Sequence, residues 1–169
     1  AFSERDAKWR DGKTLGYIYD AGPEVEEIAK WAYMRYLTEN ALAAATFPSL
    51  MQIENELVAM AAAHLGDVPG VVGNFTSGGT ESCMLAVKTA RDLARATRNI
   101  KEPEAILPVT AHAAFQKGCH YLRVKKVLVP VDAKTYRSDP AAIEKAITPN
   151  TVLIVSSAVS YAHGVLDPI

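Results

Sequence analysis

The chain has 169 residues, 49% of them hydrophobic, which is enough for one sizeable buried core. Its 18 basic and 19 acidic residues leave a net charge of −1, which excludes the electrostatic footprint of a nucleic-acid or anionic-membrane binder. Two cysteines, Cys83 and Cys119, make neither a disulfide framework nor a CxxC pair and are read as reduced, buried and cytoplasmic. No apolar run approaches the ~18 residues of a membrane span, and the charged start is no signal peptide.

Taken in order, Ala1 to Lys13 is charged and without periodicity, an arm. Pro23 followed by Glu24, Glu26 and Glu27 marks a helix start, with Ile28, Trp31, Ala32 and Tyr36 on one face. Trp31, Tyr33 and Tyr36 are assigned to packing against a core or a partner subunit rather than to a binding stripe. Asn40 to Phe47 reads as a loop, and Pro48 opens a second helix with Leu50, Ile53, Leu57, Val58 and Ala61 on one face and Gly66 as its stop. Glu54 and Glu56 point to different faces and form no acid–base pair. His64, at the end of that helix, is given no chemistry.

Gly70 to Phe75 (GVVGNF) reads as a buried strand running into Thr76-Ser77-Gly78-Gly79-Thr80-Glu81-Ser82. Cys83 to Arg98 then carries Leu85, Val87, Ala90, Leu93 and Ala94 at helical spacing. Two glycines at a helix N-terminus let a ligand approach first-turn N–H groups that have no intrahelical partner, where the helix dipole favours an anion. The spacing is neither GxGxxG nor GxxxxGK[ST]. Two readings stay open on spacing alone: a phosphate cradle, or a glycine turn capped by Ser77 or Thr80 with no ligand.

Further on, Ala105 to Val109, Val124 to Val131 and Thr151 to Val155 read as strands. His112 to Leu122 reads as a helix, and Asp139-Pro140 opens another with its own N-cap. Alternation of strand and helix implies a parallel sheet with right-handed crossovers and ligands at the carboxyl ends of its strands.

TSGGTES after an apolar run resembles the phosphate-binding turn of the pyridoxal-phosphate-dependent group II decarboxylase superfamily, and its TES ending resembles most the sphingosine-phosphate lyase branch. Three other stretches agree in order: Asn40 to Leu57 (NALAAATFPSLMQIENEL), Thr110 to Lys117 (TAHAAFQK) and Ser156 to Ile169 (SSAVSYAHGVLDPI). The similarity runs from about Tyr17 to the last residue.

The resemblance implies a fold-type-I, aspartate aminotransferase-like large domain, an αβα three-layer α/β fold, incomplete in this chain. Residues 1–66 would be an N-terminal arm and helices making dimer and active-site contacts, and 67–169 the first half of the domain that binds pyridoxal 5′-phosphate. It implies that Gly79 and Thr80 bind the cofactor phosphate while Ser77 and Gly78 shape the turn. His112 would stack on the pyridine ring, and Ser157 and Ser160 would lie near the 3′ oxygen. Asn40 would reach the phosphate of a neighbouring subunit, although Ala41 and Ala43 stand where the lyase branch often shows proline and histidine. Lys117 would be a structural or phosphate-proximal charge and not the Schiff-base lysine. His163 would lie near the active-site mouth, close to substrate, with Asp167 forming a turn. No metal is implied.

The aspartate for the ring nitrogen and the Schiff-base lysine are expected further along than Ile169, so the expectation is a part of a longer enzyme, inactive by itself. For the whole protein the resemblance implies a homodimer with shared active sites, acting in sphingolipid metabolism. It would cleave a phosphorylated long-chain base by a retro-aldol reaction to a fatty aldehyde and phosphoethanolamine. An amino-acid decarboxylase of the same superfamily, or a non-catalytic α/β module, are the alternatives.

Overall fold

A computed structural model describes residues 2–14, 16, 18–66 and 69–169. The chain falls into two compact units, one ending at Asn74 and one beginning at Phe75. The expected boundary after Gly66 meets Asp67, which lies outside the described residues, as does Tyr17.

In the first unit, short 3-10 turns at Phe2–Arg5 and Trp9–Asp11 precede helix α1 (Pro23–Arg35) and helix α2 (Pro48–His64). Each helix begins on its proline, whose fixed φ suits the first turn and whose missing N–H is not needed there. Gly22, at φ +92°, turns the chain into α1, and its N–H donates to Asp20 Oδ1 at 3.0 Å. Gly66, at φ +110°, follows the end of α2.

The expected apolar faces are present but bury nothing: neither helix contains a buried residue. Trp31 and Ile28 are each 66% exposed. Trp31, Tyr33 and Met34 point in different directions around α1, so no one neighbour within this unit could cover them all.

The second unit holds α3 (Gly79–Arg98), β1 (Glu104–Pro108), α4 (Ala113–Leu122), β2 (Lys125–Val129), α5 (Pro140–Ala146) and β3 (Thr151–Ile154). The strands form a parallel sheet in the order β2-β1-β3. Ile106 pairs with Val127 on one side and Ile154 on the other. The central strand is buried along its whole length, as a parallel strand covered on both faces must be.

Ala105 and Leu107 point into a core with Val87, Ala111, Cys119, Val124 and Val155. Gly118 lets α4 approach α3: a Cβ there would lie 3.4 Å from the Met84 Cα. Along α3 the covered stripe runs through Met84, Val87, Arg91 and Ala94, while Leu93, expected inside, is 60% exposed. Asn99, at φ 54°, ends α3 in the left-handed region, and Asp139 caps α5 as expected, accepting from Ala141 N–H at 2.9 Å.

One element is corrected. Residues 71–76 are not a strand, and Val72 and Phe75 are 90% and 71% exposed. Among the described residues the segment has no ladder partner, and an apolar run without one gains nothing from an extended pairing geometry.

Candidate cofactor site

The turn before α3 is built by its own polar groups. Thr76 Oγ1 donates to Gly78 O at 3.2 Å and lies 2.7 Å from Ser82 Oγ. The N–H and hydroxyl of Ser77 both donate to Glu81 Oε2, at 2.7 and 2.6 Å. These bonds to Ser77 hold the Glu81 carboxyl below the usual glutamate range. Ser77 is thereby engaged in shaping the turn.

Gly78 is the N-cap, and no side chain caps the helix. Neither Ser77 nor Thr80 plays the capping part that would make this a bare turn. The N–H groups of Gly79, Thr80 and Glu81 open α3, where no intrahelical acceptor exists. A Cβ built on Gly78 or Gly79 meets nothing within 4 Å. An uncapped helix end with open space over two glycines and a threonine hydroxyl beside it is a donor set suited to a phosphate.

His112 stands where β1 hands over to α4. It is the N-cap of α4, and its Nδ1 accepts the Ala114 N–H at 3.1 Å. That bond fixes the ring and, in the neutral form, places its proton on Nε2. The ring is otherwise exposed. It lines a cavity of about 340 Å³ together with Thr110, Ser157, Val159 and Tyr161. The cavity lies beyond the carboxyl ends of β1 and β3, where parallel α/β sheets place their ligands.

The remaining candidates separate. Ser157 lines that cavity together with His112. Ser160 sits between the lining residues Val159 and Tyr161, but its hydroxyl is buried and has no hydrogen-bond partner among the described residues. Lys117 lies elsewhere, in a second cavity of about 400 Å³ with Ser77, Thr80, Glu81 and Lys88. Five positions past His112 is about 140° round the helix, which puts the two side chains on different flanks of α4. The Lys117 ammonium rests 5.5 Å from the Tyr121 ring centroid.

His163 does not line the His112 cavity. Its ring stacks on Tyr136 at 4.8 Å, with 16° between the planes. Asn40, in the first unit, closes its own loop: Oδ1 accepts the Leu42 N–H at 2.9 Å.

Two functional groups escaped the sequence reading. Glu81 was visible only as the acid in TES, yet it holds the turn's shape. Asp167, expected to form a turn, is 2% exposed and accepts backbone N–H groups from Ser138 and Ser157 at 2.8 and 2.9 Å. Its signal was the acid next to Pro168 in an otherwise apolar HGVLDP, too short to show that it would be buried.

Group by group the residues have the chemistry that pyridoxal phosphate needs, with the Thr80 turn and His112 lining two separate cavities. The open helix end suits its phosphate, the fixed imidazole its ring, and the orphaned Ser160 hydroxyl is a buried polar atom in want of a partner beside the cavity.

Comparison with known proteins agrees with this chemistry. Residues 45–164 match the model of the DegT/DnrJ/EryC1/StrS aminotransferase family. The sphingosine-1-phosphate lyase of Dictyostelium discoideum is 40% identical over 97% of this chain and 31% of its own length. That of Saccharomyces cerevisiae is 38% identical over 96% of this chain and 28% of its own. This chain therefore spans about a third of the curated relatives it matches. Among solved structures, a sphingosine-1-phosphate lyase of Burkholderia pseudomallei superposes with a TM-score of 0.87 at 34% identity, over 95% of this chain and 38% of that one. A Lactobacillus brevis glutamate decarboxylase gives 0.64 at 19% identity over 95% and 45%, a likeness of fold alone.

Proposed function

Since the chain belongs to the DegT/DnrJ/EryC1/StrS aminotransferase family, with a fold-type-I domain and pyridoxal phosphate as cofactor, we propose that its protein is a sphingosine-1-phosphate lyase-like carbon–carbon lyase. The reaction is cleavage of the C2–C3 bond of a phosphorylated long-chain base to a fatty aldehyde and phosphoethanolamine. The bound cofactor supplies an electron sink for the pair left when that bond breaks.

The parts of this chain hold and orient. Gly79 and Thr80 bind the cofactor phosphate through N–H groups and hydroxyl, on the turn that Ser77 and Gly78 shape. His112 covers the ring, in a plane set by its bond to Ala114. Ser157 and Ser160 serve the 3′ oxygen. Lys117 adds positive charge near the phosphate turn, and His163 lies on the approach to the site. Residues 1–66 form an arm that brings Asn40 to the site of the other subunit of a homodimer, and 67–169 begin the cofactor domain.

The observation that carries this reading is the uncapped, open N-terminus of α3. The lyase is preferred to a decarboxylase because relatives near 40% identity are lyases, whereas the decarboxylase shares only 19%. The test is to incubate the purified full-length protein and cofactor with a phosphorylated long-chain base, and separately with amino acids. Fatty aldehyde and phosphoethanolamine, measured by mass spectrometry, are expected. Carbon dioxide from an amino acid, with no aldehyde from the lipid, would overturn it.

A further inference from the structure

The carboxylate of Asp167 is buried at 2% exposure, and such a group is stable only when hydrogen-bonded. Both its oxygens are engaged, each by a backbone N–H from a different segment. Oδ1 takes Ser138 N–H at 2.8 Å, from the stretch that leads into α5. Oδ2 takes Ser157 N–H at 2.9 Å, from the loop after β3.

The Asp167 N–H returns to Ser157 O at 3.0 Å, closing the loop at its base. Inside it, Ser160 N–H donates to Val165 O and Gly164 N–H to Ser160 O, both at 2.8 Å. The stack of His163 on Tyr136 is a second tie between the same two segments. The loop so held supplies Ser157, Val159 and Tyr161 to the cavity that His112 also lines.

We propose that Asp167 is a positioning residue for the cofactor cavity: one buried carboxylate locks the wall formed by residues 157–162 at a fixed place in the cavity that His112 lines. The inference rests on the cofactor reading given above. It explains why a carboxylate stands here. An amide has one acceptor oxygen, so asparagine would satisfy one of the two N–H groups and turn its own NH₂ towards the other.

The test compares full-length wild type and Asp167→Asn in two measurements: hydrogen exchange of the cofactor-free protein, and cofactor titration followed by absorbance. Exchange across 155–162 should accelerate while β1 stays protected, and the cofactor Kd should rise about ten- to a hundredfold, the effect of one buried N–H left unpaired. Ser138→Ala, which keeps the N–H and removes a hydroxyl that has no partner among the described residues, should change neither. Where the amide variant does not fold, Asp167→Glu keeps both acceptors on a longer arm and should shift the same two readouts in the same direction.

Unchanged exchange would overturn the clamp. Faster exchange with unchanged Kd would overturn the positioning role and leave a structural tie. A wild type that binds no pyridoxal phosphate would overturn the cofactor reading and this inference with it, a result distinct from a wild type that binds and a variant that binds equally well.

Discussion

Gly79 offers a clean separation of stability from ligand binding. It occupies the first position of α3, outside the left-handed region, and an added Cβ meets nothing within 4 Å. Gly79→Ala should therefore leave the cofactor-free protein as stable or raise its stability by up to about 1 kcal/mol, the gain in helix propensity. The same methyl occupies the space through which a phosphate would reach the first-turn N–H groups. Loss of one hydrogen bond to a charged phosphate costs about 1.5–3 kcal/mol, roughly a ten- to 150-fold rise in Kd. Gly79→Val, bulkier at the same point, should weaken binding further. The assay is absorbance titration of the full-length protein with pyridoxal phosphate, paired with thermal melts of the cofactor-free form. Unchanged affinity in the valine variant would refute the phosphate site. A markedly lower melting temperature in the alanine variant would refute the open space over the turn.

Three further tests address other parts of the structure. His112→Asn should keep the cap on α4 and lose the ring, weakening cofactor binding at little cost in stability. His112→Phe should do the converse, keeping a flat face and losing about 1 kcal/mol of cap; paired titrations and melts that move together would contradict the division. Leu107→Ala, at a fully buried position of β1, should cost about 2–5 kcal/mol in chemical denaturation, and a loss under 1 kcal/mol would show that the site is not core.

The third concerns pH. Lys125, then Thr148, hold the Glu104 carboxyl below its usual range through bonds of 2.7 Å each. A depressed carboxyl contributes stability that is fully present above the ordinary glutamate value of about 4.3 and is lost as pH falls through its lower folded value. Melting temperature against pH should fall less steeply on the acid side for Glu104→Gln than for wild type. Equal slopes would refute the linkage.

How much of this was legible depends on the range of the interaction involved. Helix starts at Pro23, Pro48 and Asp139-Pro140 are set by φ and by caps within a few residues, and they were found where expected. The strands at 104–108, 125–129 and 151–154 came within a few residues of their expected bounds because β-branched and apolar runs favour the extended conformation. What misled was the run from Gly70 to Phe75, since its apolar character could not say whether a neighbouring strand exists. What was missed was Asp167, whose partners lie 29 and 10 positions away. Motif resemblance could name His112 but not its bond to Ala114, and that bond sets which face and which nitrogen the ring presents.

The assignment of roles follows from which polar groups the protein already uses. Ser77 is engaged by Glu81, Asn40 by its own turn, and Asp167 by two backbone amides, so none of their bonding atoms is idle in the same degree as those of the helix end. His112 gives its Nδ1 to Ala114, leaving Nε2–H and a flat ring face towards the cavity. What stays available is a row of first-turn N–H groups, the Thr80 hydroxyl, one imidazole face and the buried Ser160 hydroxyl. That set can bind an anion and cover an aromatic ring. Among the described residues that line the His112 cavity none is a carboxylate or an amine; in the proposed reaction the groups named here would serve to hold the cofactor.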